Sequence, residues 1–274
     1  QVLSTERPDK AANHLLSGRV VVIVNGSPYV LIMPCVFVDF LSSAEDPNLK
    51  FQYANLLKFV RLVAFFITLL LPGLYVAITN FHQEIIPTEL LFAIVASRES
   101  VPFPIIVEIL AMEISFELIR EASLRVPSPI GTTIGIIGAL ILGQAAVEAS
   151  IVSPILIIIV AITGITSFAI PDFYLSFHLR IVRFLYIIAG FLAGFLGIGI
   201  VLFSHLVLLC SLKSFGVSYL APFVPATSKN NKAYFMPPFW NREKRPDFLN
   251  TKRPQKEARI SMKWKYKIGG NNGN

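Results

Sequence analysis

Carboxylates set into apolar sequence are the residues of this chain with the most chemistry to offer. Gln144 and Glu148 lie one helical turn apart between uncharged stretches, and a carboxylate so placed is costly unless it meets water, a cation or a partner. Glu108, Glu113, Glu117 and Glu121 form a second acidic series. At about 100° per residue Glu113, Glu117, Arg120 and Glu121 share one arc of a helix, with Ala111, Met112, Ser115, Leu118 and Ile119 on the other side. Rings of carboxylates select cations. Repeated around a symmetric assembly, Gln144, Glu148 and the tiers of Glu113, Glu117 and Glu121 are therefore candidates to line a cation path. The plainer alternative for Gln144 and Glu148 is a position at headgroup level beside a turn. For the acidic series it is a solvated face steadied by Glu117 with Arg120 and Glu121 with Arg125 at helical pair spacing.

Other chemistry finds little support. The sequence has no phosphate-binding glycine loop, nucleophile elbow, His-Glu-x-x-His or paired-cysteine site, so an enzyme, a metal site and a bound cofactor are not expected. Cys35 and Cys210 stand 175 residues apart in apolar surroundings and read as small buried hydrophobes. His205, beside Ser204, is expected to pack against a neighbouring helix. Arg61, Arg180 and Arg183 read as interface anchors that snorkel to headgroups.

The elements that must position these groups are apolar and long. Leu62 to Gln83, Val126 to Val147, Ala149 to Pro171 and Phe184 to Leu212 are uncharged, and roughly 20 apolar helical residues cross a hydrocarbon core of about 30 Å. Hydrophobic residues make up 54% of the 274 and charged ones only 15%, with a mean hydropathy of +0.65. That excludes an ordinary soluble globular protein. The expected fold class is mainly α, a polytopic helical membrane protein of about four spans plus amphipathic helices. Pro72-Gly73 lies inside the first span, where neighbouring helices can satisfy the freed backbone groups. Ile105 to Arg120 is expected as an interfacial or cavity-lining amphipathic helix; a five-span scheme in which it crosses stays open. Gly131 with Gly135, and Gly190 with Gly194, have the small-xxx-small spacing that lets helices approach closely.

The ends differ in character. Residues 1–50 hold two apolar runs, Val20 to Val24 and Tyr29 to Met33, flanking the turn signal Asn25-Gly26-Ser27-Pro28, which predicts two short strands. They are expected to be the end of a cytoplasmic α/β domain and its connector, with 51–225 the transmembrane domain. Opening on Gln1 without a signal segment, the chain reads as the C-terminal part of something longer. Residues 226–274 carry twelve Lys/Arg against three acidic residues, a net +9, so everything before them sums to −2. Without a nucleic-acid module, this tail is expected to be a disordered cytoplasmic segment held near anionic lipid, not a nucleic-acid binder.

A series of motifs, in order, resembles the A subunit of bacterial spore germination receptors, the GerA family. They are Thr5-Glu6-Arg7-Pro8-Asp9-Lys10, Gly18-Arg19-Val20, Leu71-Pro72-Gly73-Leu74-Tyr75, Ser97-Arg98-Glu99-Ser100-Val101-Pro102-Phe103-Pro104, Gly143-Gln144-Ala145-Ala146-Val147-Glu148-Ala149, Ser167-Phe168-Ala169-Ile170-Pro171 and Ser214-Phe215-Gly216-Val217-Ser218-Tyr219. The resemblance runs from about Thr5 to Pro225. Asn25, where an acidic residue is expected, and Ser218, where proline is expected, depart from the pattern. The resemblance implies a component of the spore inner membrane that helps dormant spores respond to nutrients. It would work with a permease-like B subunit and a lipoprotein C subunit, and A subunits would assemble into a homo-oligomeric ring around an ion conduit. A stage-V sporulation paralogue shares this pattern. The rival classes are a self-sufficient secondary transporter, against which stands the lack of internal inverted symmetry, and a non-conducting membrane scaffold for the permease-like partner.

Overall fold

The computed structural model describes residues 2–125, 135, 138, 141–225, 234–238, 245–249 and 251–252. The chain is mainly helical and divides into two compact units, residues 1–62 with 205–274 and residues 63–204.

In the first unit the turn signal delivers a hairpin, and a third strand joins it. Strands β1 (Leu3–Thr5), β2 (Val20–Ile23) and β3 (Val30–Met33) form an antiparallel sheet in the order β1-β3-β2, with Leu3 opposite Ile32 and Ile23 opposite Val30. Gly26 takes the positive φ that the β2–β3 turn requires. Helix α1 (Pro8–Leu16) begins on a proline, whose missing N–H is no loss in a first turn. Leu3, Ile32, Cys35, Val36 and Leu41 are buried around the short helix α2 (Phe37–Phe40). A second hairpin, β4 (Lys213–Ser214) with β5 (Val217–Ser218), turns at Phe215 and Gly216, both at positive φ. It is held by Ser214 Oγ, which accepts from the Cys35 N–H, and by Tyr219 O, which accepts from Phe37 N–H at 2.8 Å.

The second unit is a set of helices. Helix α3 (Phe51–Phe81) starts eleven residues before the apolar window and carries Pro72 in its interior. It is followed by α4 (Thr88–Arg98), α5 (Ile105–Arg125), α6 (described over 141–148), α7 (Pro154–Phe168) and α8 (Phe173–Ser211). Tyr75, Val76, Ile105, Ile109, Met112, Val152, Leu156, Val160 and Ile187 form a shared core. By length and composition α3 and α8 are each long and apolar enough to cross a membrane. Most of the second apolar window lies outside the described residues, as does most of the basic tail. Where the tail is described, Tyr234 is buried and its hydroxyl donates to Lys58 O.

The last helix departs from expectation. It is continuous in register only up to Leu192, because Ala193 (φ −141°, ψ 19°) and Gly194 (φ 58°, ψ −137°) are not helical. The window Phe184 to Leu212 is therefore divided between two helices.

Candidate functional site

The acidic series on α5 meets arginines from other helices. Glu108, fully buried, accepts from Arg98 Nη2 at the end of α4 (3.0 Å) and from the Ser153 N–H just before α7 (3.2 Å). One turn and a half later, Glu113 pairs with Arg183 of α8. Glu117 then takes Arg180 at 2.8 Å, with Arg183 and Arg120 each at 3.5 Å. Arg120 donates to Ser167 Oγ at 2.8 Å and to Gly164 O, and its guanidinium lies over the Phe168 ring. Pairs of this kind form because a buried guanidinium or carboxylate left alone costs several kcal/mol, on the order of 3–5 when one partner is removed.

This overturns the expectation for Arg180 and Arg183 as headgroup anchors. Arg183 is 1% exposed and Arg180 is buried, because the α5 carboxylates offer them partners inside the unit. It also changes what the α5 arc faces. Glu113 is fully buried and Glu117 half-buried, whereas Glu121 is exposed. Two carboxylates, Glu113 and Glu117, face three guanidiniums, Arg120, Arg180 and Arg183, a formal charge of +1. In this arrangement the cluster does not attract cations.

The polarity of α5 is thereby inverted over part of its surface. Glu108, Glu113 and Arg120 are buried in the unit beside Ile105, Ile109 and Met112, while Val107, Ile114 and Leu118 point out, Leu118 at 66% exposure.

Gln144 and Glu148 are brought together, Gln144 Nε2 donating to Glu148 Oε1 at 3.0 Å, and both are exposed near the C-terminal end of α6. No described contact joins them to the α5 cluster, so the sequence candidates fall into two separate places. Of the packing glycines, Gly190 sits where a Cβ would lie 2.5 Å from Gly73 O, and a Cβ on Gly73 would lie 2.7 Å from Tyr186 O. Gly135 makes ordinary contact with Ser123, and Gly131 lies outside the described residues. Gly194 does not continue that seam; it forms the break in α8 against Phe81 and His82.

Sequence reasoning paired Glu117 with Arg120, as observed, but did not find the roles of Arg98, Arg180 and Arg183 as partners of the α5 glutamates. The available signal was three arginines within otherwise apolar helices, each needing a counter-charge. Among the described residues no group of three or more His, Cys, Asp and Glu could hold a metal ion.

Comparison with known proteins agrees in one direction. The family described as Bacillus/Clostridium GerA spore germination protein matches residues 1–248. Spore germination protein KA of Bacillus subtilis (strain 168) is 49% identical over 90% of this chain and 45% of its own length. Spore germination protein GerLA of Bacillus cereus is 42% identical over 92% of this chain and 51% of its own, and spore germination protein A1 of Bacillus subtilis (strain 168) 43% over 81% and 46%. The chain thus spans about half the length of the curated relatives it matches. No solved structure matches it.

Proposed function

This chain belongs to the GerA family of spore germination proteins, and on that premise we propose that it is the membrane portion of a germination receptor A subunit, acting as part of an oligomeric ion conduit. In this reading residues 51–225 form the multi-pass transmembrane domain in the spore inner membrane, residues 1–50 the end of a cytoplasmic domain and its connector, and residues 226–274 a basic cytoplasmic tail. The partners are membrane lipid, further copies of the chain, and the permease-like B and lipoprotein C subunits of the receptor.

The observation that carries this is the inversion of α5. In water a helix that buries Glu108 and Glu113 while exposing Val107, Ile114 and Leu118 pays twice, for desolvated charge and for wetted apolar surface. Against lipid the second cost vanishes, and buried paired charge is the usual arrangement.

Gln144 and Glu148 are the groups assigned to the path. Glu121, exposed on α5, is assigned to the path as well, and Glu113 and Glu117 contribute only when Arg183 and Arg180 release them. In the full-length receptor, Glu148→Gln keeps size and hydrogen bonding to Gln144 but removes one negative charge per subunit. It should accumulate and assemble normally in spores, with cation release after nutrient addition slowed or abolished. Cation release at the parental rate would remove Glu148 from the path, and failure to accumulate would make it structural.

A further inference from the structure

The break in α8 reverses the course of the chain. In an unbroken helix residues eight apart are separated by about 12 Å. Yet a Cβ built on Gly197 would lie 3.0 Å from the carbonyl carbon of Ala189 and 3.2 Å from the Ala193 Cβ. The segment after Gly194 therefore folds back against the one before it. Gly194 itself has φ 58° and ψ −137°, a combination open in practice only to glycine.

The level of the turn within residues 63–204 follows from its neighbours. Gly73 of α3 lies against Tyr186 and Gly190, and Phe81 and His82, at the end of α3, lie against Gly194. The His82 ring stacks on Phe195 at 4.5 Å. Both numbers rise together, so α3 and the first half of α8 run parallel, and Gly194 stands at the end of the unit where α3 stops. The α5 pairs run the other way, Glu113 with Arg183 and Glu117 with Arg180, as an antiparallel neighbour must.

Length completes the picture. Residues 173–192 are twenty helical residues, about 30 Å, one hydrocarbon thickness. Residues 195–211 are seventeen residues without a charge, about 25 Å. Building on the membrane placement above, we propose that α8 is two membrane passes joined by a turn at Ala193–Gly194 that emerges at the bilayer surface beside His82. Arg180 and Arg183 are thereby carried inside the membrane as the counter-ions of Glu117 and Glu113. A single pass over 184–212 would instead leave Ala193 within the hydrocarbon and both arginines outside it. Inside the membrane and paired, the two arginines no longer count as loop charges under the positive-inside rule.

The test uses the full-length protein in its own membrane, with Cys35 and Cys210 replaced by serine, and a membrane-impermeant maleimide applied to one face at a time. The probes are Gln83→Cys beside the end of α3, Ala193→Cys at the turn, Ile200→Cys in the second half of α8 and Pro171→Cys at the opposite end of the bundle. Labelling of Ala193→Cys from the same face as Gln83→Cys, of Pro171→Cys from the other face, and loss of labelling at Ile200→Cys is the expected pattern. A silent Ala193→Cys beside a labelled Gln83→Cys, or Ala193→Cys labelled from the Pro171→Cys face, overturns the two-pass course while leaving the membrane placement standing. If Gln83→Cys and Pro171→Cys label from one face alone, the membrane placement of the bundle fails, and this proposal with it.

Discussion

Both units bury an arginine against a carboxylate, and the two pairs keep opposite company. In the first unit Arg19 and Asp39 form a two-pronged pair, one prong at 2.9 Å, and Asp39 Oδ2 also accepts the Val36 N–H at 2.8 Å. Val36 and Cys35 beside it are buried, as are Leu3 and Ile32 of the same unit, so the pair sits in an otherwise apolar core. Burial lowers the Arg19 guanidinium, but the Asp39 charge and hydrogen bonds outweigh it and hold it above its usual value. In the second unit Arg183 and Glu113 belong to a polar interior whose outward faces are apolar. The first pair fastens local backbone; the second fastens α5 to α8, 70 residues apart in sequence. The same chemistry thus serves a core that excludes water in one region and, in the proposed membrane, a bundle that excludes lipid in the other.

The largest effects should come from breaking either pair one residue at a time. Arg183→Leu or Arg19→Leu alone strands a buried carboxylate, at a cost of about 3–5 kcal/mol, read as loss of protein from membranes or of its melting transition in detergent. Removing both partners should separate the two regions. Glu113→Leu with Arg183→Leu leaves the remaining cluster, Glu117 with Arg120 and Arg180, at its formal +1 and replaces charge by apolar volume, so most stability returns. Asp39→Leu with Arg19→Leu leaves the Val36 N–H without its acceptor, a residual loss of about 1–3 kcal/mol. Equal recovery of the two double variants would erase the contrast.

A second contrast lies within α8. Gly190→Ala drives a Cβ to 2.5 Å from Gly73 O, against the Gly73 backbone and no flexible side chain, and should cost about 1–3 kcal/mol through displaced backbone. Gly199 has nothing within 4 Å of a Cβ, so Gly199→Ala should be neutral or gain up to about 1 kcal/mol from helix propensity. Melting of the two variants in the same detergent measures the difference, and equal losses would mean that Gly73 and Gly190 are not in close approach.

Much of this architecture was legible because it is local. The Asn25-Gly26 signal between two apolar runs marks the β2–β3 hairpin, and uninterrupted apolar sequence marks α3, α7 and α8. The eleven residues by which α3 precedes its window were hidden by Lys58 and Arg61, which lower the local hydropathy while the helix continues. The α5 arc was visible, but its orientation was not. Periodicity shows that Glu113 and Glu117 share a face, and only the placement of Arg180 and Arg183 beyond 60 residues of sequence decides that this face points inward. The break at Gly194 was hidden among Gly190, Gly197 and Gly199, since spacing alone does not tell a close-approach glycine from one that takes a positive φ.

The smallest expected effect concerns the strap that the described part of the tail lays on the start of α3. Asn55 brackets Met236, its amide donating to Met236 O at 3.0 Å and its carbonyl accepting from the Met236 N–H at 2.6 Å. Lys58 Nζ donates to Tyr234 O at 2.9 Å, and the Tyr234 hydroxyl returns a bond to Lys58 O at 2.6 Å. Burial pushes the Tyr234 phenol from 10.0 up to about 12, with Arg61 pulling it down and Asp46 pushing it up. The folded state therefore keeps the proton where the unfolded chain has released it. The stabilisation from this phenol is fully present below pH 10 and declines as pH rises toward about 12. Tyr234→Phe removes one hydrogen bond, about 1 kcal/mol, and with it this alkaline loss. Melting of parent and variant across that range should show a gap that is constant up to pH 10 and narrows above it. A gap that does not change through the alkaline range would show that the Tyr234 hydroxyl is not held in the strap.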